Sequence, residues 1–253
     1  MPRSLHGGRH ELGQNFLNHR PTLDRIARLV DDTSGPVLEL GAGDGAVTRE
    51  LVRLGRPLTA IEIDEHRVRR LRRALPKVRI EHADATRYPL DAPVIVGNIP
   101  FHLTTPILRR LLDSHGWQNA VLLTQWEVAR KRAGIGGRTM MTAQTAPWFD
   151  FRLDGRVPAW CFTPVPSVDG GLLTIARRRT PLVPLGQRPA YEAFVRRVFT
   201  GAGGTLPRIV QRASGADASR VRRALTDARV PPRALPRDLD PQQWSRLWAG
   251  LRR

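Results

Sequence analysis

From residue 36 onward the chain alternates short apolar runs with stretches whose apolar residues recur every three or four positions, the pattern of a parallel sheet wrapped by helices. "PVLELG" (36–41) ends on glycine and predicts a first strand. Behind it, Val47, Leu51 and Leu54 share one helical face at i, i+4 and i+7. "PLTAIEID" (57–64), "VRIEHAD" (78–84), "APVIVGN" (92–98) and "NAVLLTQ" (119–125) predict further strands, with helices starting near Glu65, Thr105 and Glu127. Ahead of the first strand, Leu23, Ile26 and Val30 make one more stripe, and Pro21 suits a helix's first turn. "FDFRLDG" (149–155) and "GGLLTIARR" (170–178) are expected to pair as an antiparallel edge.

The pattern breaks at "RRRTPLVPLGQRP" (177–189), where arginine, proline and glycine displace apolar periodicity. A boundary there divides the chain into residues 1–177, an α/β domain, and 178–253, a small helical domain rich in arginine. In the latter, Tyr191, Phe194, Val195 and Val198 share a face, and "LPRIVQRA" and "ASRVRRALTDARV" follow. Asp240-Pro241-Gln242-Gln243 resembles a capping box ahead of a Trp244, Leu247, Trp248, Leu251 stripe.

Charge narrows the function. Lys+Arg number 41 against 23 Asp+Glu, a formal net charge of +18, and Lys77 and Lys131 are the only lysines. The rest are arginines, whose planar fork pairs bidentately with phosphate, so a nucleic-acid partner is expected. A membrane surface fits less well, because no stretch joins a basic face to a strongly apolar one. With one cysteine, Cys161, no apolar leader and no long apolar run, the expected location is the cytoplasm.

"ELGAGDG" (39–45) sits where the first strand turns into the first helix, and its glycines let backbone approach a ligand at a helix N-terminus. The dinucleotide fingerprint is G-x-G-x-x-G; here the spacing is G-x-G-x-G with an acid two residues ahead. Carboxylates such as Glu39 and Asp44 would repel a pyrophosphate and attract a ligand bearing a sulfonium and an ammonium. Glu62, closing the second strand, is placed to accept from ribose hydroxyls. Asp84, closing the third, could take an adenine's exocyclic amine. Together these acids describe a pocket for S-adenosylmethionine.

The fourth strand runs into "NIPFHLT" (98–104), so Asn98, Ile99, Pro100 and Phe101 are expected beside that cofactor. An exocyclic aryl amine is a poor nucleophile because its lone pair is delocalised. The Asn98 side-chain oxygen and the Ile99 carbonyl could hold its two N–H groups and turn the lone pair toward the methyl. Sulfonium leaves readily, so positioning and electrostatics can carry the step. Pro100 would set the bend and Phe101 offer a flat face to an extruded base. An ordinary Asn-x-Pro turn with Phe101 in the core is the alternative for these residues taken alone. Metal chemistry is not expected: "HE" at His10 and Glu11 lacks the following histidine of a zinc-binding helix.

"QNFL" (14–17), "ELGAGDG", "IEID", "HADAT", "NIPFHLT", "LLTQWEVARKR" and "FTPVPSVDG", in that order, resemble the rRNA adenine N6-methyltransferases. Small-subunit adenine dimethylases of that superfamily usually carry Asn-Leu-Pro-Tyr. Ile99 and Phe101, with "ARKR" and "VDGG", are more similar to the Erm type. The resemblance implies a Rossmann-like class I methyltransferase domain that methylates one adenine in the peptidyl-transferase loop of 23S rRNA, giving macrolide, lincosamide and streptogramin B resistance. It also implies Asn15 and Leu17 over the cofactor, Gly41 at its methionine side, Glu62 on ribose, Asp84 on adenine and Asn98 at the transfer, with Gly43, Ile63 and Ala85 as further cofactor-binding residues. The implied substrate is 23S rRNA, free or in a partly assembled large subunit, and the expected state is a monomer. Two rival readings keep the fold: a 16S rRNA dimethylase of ribosome assembly, and a nucleic-acid-binding factor without turnover.

Overall fold

The computed structural model describes residues 15–252. Contacts divide these into two compact units, 15–129 with 153–175, and 130–152 with 176–252.

The chain opens with a two-residue strand, β1 (Phe16–Leu17), and helix α1 (Arg20–Asp31). Alternation then follows: β2 (Val37–Leu40), α2 (Ala46–Val52), β3 (Leu58–Glu62), α3 (Glu65–Ala74), β4 (Arg79–His82), β5 (Val94–Asn98), α4 (Thr104–Asp113), β6 (Asn119–Gln125) and α5 (Trp126–Arg132). Next come α6 (Met140–Thr145), β7 (Phe149–Val157), β8 (Phe162–Thr163) and β9 (Gly170–Arg177). Seven strands form one sheet in the order β4-β3-β2-β5-β6-β9-β7, and the pairs from β4 to β6 are parallel.

Every residue of β2 is buried, as a strand covered on both faces requires, which is why its sequence is almost continuously apolar. The chain winds outward from β2 through β3 to β4, then returns to place β5 on β2's other side. The strand order therefore reverses between β2 and β5, and a crevice opens at their C-terminal ends. Gly97 makes that close pairing possible, since a Cβ there would lie 2.7 Å from Ile99 Cδ1 and 3.0 Å from the Leu40 carbonyl.

The α1 stripe packs as expected: Leu23, Ile26 and Val30 are buried with Val47, Leu51, Val94 and Val96. A second cluster, Ala60, Val68, Leu71 and Ile80, joins α3 to β3 and β4. The stripe behind the first strand departs from a single helix. Helix α2 stops at Val52, Gly55 turns at φ +66°, and Leu54 packs against the core from the turn. β7 and β9 are hydrogen-bonded neighbours, with β7 at the sheet's edge. The two-stranded antiparallel sheet of β1 and β8, pairing Phe16 with Thr163 and Leu17 with Phe162, was not anticipated.

In the second unit, α7 (Arg188–Thr200), α8 (Leu206–Ser214), α9 (Ala218–Asp227) and α10 (Pro241–Arg252) surround an aromatic core. Tyr191 meets Trp148 edge-on at 5.5 Å and Trp248 at 5.7 Å, and its hydroxyl donates to the Ala143 carbonyl at 2.9 Å. Those contacts tie 130–152 to this unit, so the contact division differs from a single cut after residue 177. The capping box at α10 is reciprocal: Gln243 N–H donates to Asp240 Oδ1 at 2.7 Å and Asp240 N–H to Gln243 Oε1 at 2.9 Å. No described helix is long and apolar enough to cross a membrane.

Candidate active site

At the C-terminal ends of β2, β3, β4 and β5 the first unit holds a cleft of about 280 Å³. Asn15, Leu17, Gly41, Gly43, Glu62, Ile63, Asp84, Ala85, Asn98, Ile99, Pro100 and Phe101, the whole set drawn from the sequence, line it. The His10–Glu11 pair and Gln14 lie outside the described residues.

The glycine turn follows β2 directly. Gly41 takes φ +72°, and a Cβ there would meet nothing within 4 Å, so this stretch of backbone fronts open space. Gly43 takes φ +55°, where a Cβ would press on the Phe16 ring at 3.0 Å. Its N–H donates to Glu62 Oε2 at 2.7 Å, while Ile63 and Asp64 donate to Oε1 at 2.9 and 3.0 Å. Three backbone donors thus fix the Glu62 carboxylate, which is 2% exposed, at the cleft wall.

Glu39 lies beside it, equally buried, with Oε2 lacking any hydrogen-bond partner within the protein. Burial pushes its carboxyl up to about 7; Thr48 pulls it back and the neighbouring Glu62 charge adds to the rise. A cation entering the cleft would supply the missing partner. Asp44 is engaged elsewhere, with Arg67 at 2.6 Å and Arg70 at 3.7 Å, so the negative field at the turn rests on Glu39 and Glu62 more than on Asp44.

Asp84 behaves differently. Burial opposes its charge, but the Thr86 hydroxyl and N–H, both donating to Oδ1 at 2.7 Å, outweigh it together with Arg87 and Arg110, and the carboxyl is held below its usual range. It is an acceptor at neutral pH, as an amine partner requires. Sequence reasoning missed the support for this loop: Arg110, from α4, donates to the carbonyls of Ala85 and Tyr88, both at 2.8 Å. An arginine on a helix face gives no sequence signal that it reaches back to a loop over 20 residues earlier.

β5 delivers Asn98 to the cleft floor. Asn98 Nδ2 donates to the Asn15 carbonyl at 2.8 Å, which leaves Oδ1 as the atom free to accept from a ligand. The Ile99 side chain is buried and its N–H donates to the Leu123 carbonyl at 2.9 Å, so Ile99 serves the cleft through backbone. Pro100 breaks the strand, and Leu103 N–H closes a turn on the Pro100 carbonyl at 2.8 Å. The Phe101 ring stands edge-on to Phe162 of β8, centroids 6.4 Å apart. Phe162 and Phe16 are the aromatic residues of the site that sequence reasoning did not single out.

Phe16 is held by two contacts. Gly43 packs close against Cε1 and Cδ1 of its ring, and the Arg67 guanidinium lies over the ring, 4.3 Å from the centroid. On β8, Asn18 Nδ2 donates to Thr163 Oγ1 at 2.7 Å and Asn18 N–H to the Cys161 carbonyl at 3.0 Å. Residues 15–18 therefore form a braced wall of the cleft.

Residues 5–244 match the family model described as ribosomal RNA adenine dimethylase. The chain is 51% identical over 247 residues to the mycinamicin-resistance protein MyrB of Micromonospora griseorubida, covering 96% of this chain and 78% of that one. It is 49% identical over 209 residues to an rRNA adenine N-6-methyltransferase of Corynebacterium diphtheriae, covering 81% and 83%. The crystal structure of the 23S rRNA methyltransferase ErmE superposes with a TM-score of 0.86 at 35% identity, covering 94% of this chain and all of that one.

Proposed function

Because the chain belongs to the ribosomal RNA adenine dimethylase family, we propose that it transfers methyl groups from S-adenosylmethionine to N6 of one adenine in the peptidyl-transferase loop of 23S rRNA. The outcome is resistance to macrolide, lincosamide and streptogramin B antibiotics, in keeping with its similarity to MyrB and ErmE. The observation that carries the reading is one cleft containing both an acid-lined glycine turn and the Asn98-to-Phe101 bend.

Glu39, Glu62 and Asp84 fit the cofactor's cation, ribose and adenine in turn, and the unpartnered Glu39 oxygen is the clearest sign of the fit. When bound, S-adenosylmethionine supplies a methyl carbon activated by a sulfonium leaving group. Asn98 Oδ1 and the Ile99 carbonyl accept the two N–H groups of the target amine, localising its lone pair. Phe101 packs on the adenine ring, braced by Phe162. No strong general base is needed, because the amine becomes acidic as it is alkylated and its proton can leave directly to water. The reaction takes place in the cytoplasm, where the rRNA substrate lies, and the enzyme acts as a monomer.

The second unit supplies the electrostatic grip. Residues 130–152 and 176–253 hold 22 of the 41 basic side chains and 6 of the 23 acidic ones, a net +16 against +2 for the rest of the chain. Arg220, Arg222 and Arg223 of α9 are all exposed.

Incubation with methyl-labelled cofactor and separate 23S and 16S transcripts tests the function. Label in 23S rRNA, with a primer-extension stop at one loop adenine, is the expected result. Label in 16S rRNA alone would move the chain to ribosome assembly, and no label in either would leave it a binding factor.

A further inference from the structure

Of the six tryptophans, Trp117, Trp148, Trp244 and Trp248 are buried, and Trp126 is half-buried with the Arg156 guanidinium over its ring. Trp160 alone is exposed, at 65%. Val165, also 65% exposed, and Val168, at 44%, lie in the same short segment. An indole left this exposed is available to a partner, and its place in the fold indicates which.

The position of Trp160 says what it contacts. It precedes Cys161, whose carbonyl accepts from Asn18, and lies two residues before Phe162, the ring that braces Phe101. Its indole meets the His19 ring edge-on, centroids 5.0 Å apart at 81°. His19 follows the cleft-lining Asn18, and its Nδ1 is bonded to Thr22 Oγ1 at 2.8 Å, which fixes the imidazole. Trp160 is thus a braced aromatic ring joined to the cleft rim by two separate paths.

We infer that Trp160 is a stacking platform for an unpaired nucleobase flanking the target adenine, an inference that rests on the RNA-methylating reading above. Extruding one adenine into the cleft removes a stacking partner from its neighbours, and an exposed indole at the rim replaces it. The near-perpendicular contact with His19 restricts the indole's orientation. An aromatic face accepts any base, so this contact adds affinity without choosing sequence.

The test uses a 23S loop hairpin, the full chain, and the variants Trp160→Ala and Trp160→Phe. Trp160→Ala should raise the RNA KM by about 5- to 150-fold, the range one base stack carries. Its cofactor affinity by calorimetry should stay at the wild-type value, and Trp160→Phe should recover most of the loss. A hairpin abasic beside the target adenine should weaken the wild type and leave Trp160→Ala unchanged. A wild-type RNA KM in Trp160→Ala, or abasic and alanine losses that simply add, overturns the inference. So does a wild-type dimer that Trp160→Ala dissociates without loss of RNA binding, which would give the patch to a second copy. Absence of any rRNA methylation by the wild type would instead sink the parent reading.

Discussion

Asn98 spends its Nδ2 on the Asn15 carbonyl, and that bond separates two effects of its removal. Asn98→Ala deletes the acceptor for the target amine, so kcat should fall about 100- to 1000-fold, the loss typical of one preorganised polar contact. Cofactor affinity should change by only a few-fold, because Glu39, Glu62 and Asp84 are untouched; stopped-flow turnover and calorimetry report the two separately. Glu39 gives a pH prediction whose sign follows from burial. Its folded pKa, about 7, lies above the ordinary carboxylate value, so the native state holds the extra proton between roughly pH 4.5 and 7. Stability without cofactor should fall as pH rises through that window, by about 3 kcal/mol at most, and level off above it. A cationic ligand favours the ionised form, so cofactor binding should tighten over the same window and release up to about one proton per molecule below pH 7. Calorimetry in buffers of different ionisation enthalpy measures that proton, and Glu39→Gln should abolish it. The acids and the Asn98 bend were legible in the sequence because each lies in one unbroken motif at a strand end. Arg110, Phe162 and Trp160 were not, because they reach the site from elements far along the chain.

The same contrast holds for elements. β2 through β6 announced themselves as apolar runs, and α1 as a stripe with proline in its first turn, since burial on a sheet or helix face dictates those periods. β1 and β8 left no such mark: two residues each, they pair across 145 and 147 positions and owe their existence to tertiary contacts. Nor did the sequence signal that 130–152 packs with the C-terminal helices, which depends on Trp148 and Ala143 meeting Tyr191. Helix α3 shows how an element serves the site without entering its chemistry. Its Arg67, with a 13% exposed side chain, pairs with Asp44 at 2.6 Å and Asp64 at 3.3 Å while covering Phe16. One guanidinium so joins the glycine turn, the start of α3 and the wall of residues 15–18. Arg67→Ala should weaken cofactor binding by about 10-fold, mainly through a faster off-rate, because Phe16 loses its cover. Arg67→Lys should restore little, as an ammonium cannot span both carboxylates and lie flat on the ring. Off-rates from cofactor chase experiments decide between the two variants.

At the scale of the whole molecule, the charges are divided unequally between the units. The unit holding the cleft carries a net +2, because its arginines are matched by acids: Arg20 with Glu50, Arg69 with Glu65, Arg156 with Asp169. The unit formed by 130–152 and 176–253 carries +16, and its exposed arginines on α8 and α9, Arg208, Arg212, Arg220, Arg222 and Arg223, have few acids near them in sequence. A cationic cofactor needs a cleft that is locally negative, whereas a phosphate backbone needs a positive face. The sequence meets the two needs with different segments, a near-neutral one carrying the cleft and a strongly basic one carrying most of the unmatched arginines. RNA affinity should therefore fall steeply with salt while cofactor affinity barely moves. If about six phosphates are neutralised, raising salt from about 50 to 200 mM should cost roughly 1000-fold in RNA affinity. Replacing Arg220, Arg222 and Arg223 together by glutamine should flatten the log–log slope by about two to three, one increment per lost phosphate contact. Replacing the matched Arg69 should leave it unchanged. An unaltered slope in the triple variant would place the RNA grip on the cleft-bearing unit instead, and filter binding across a salt series reads it directly.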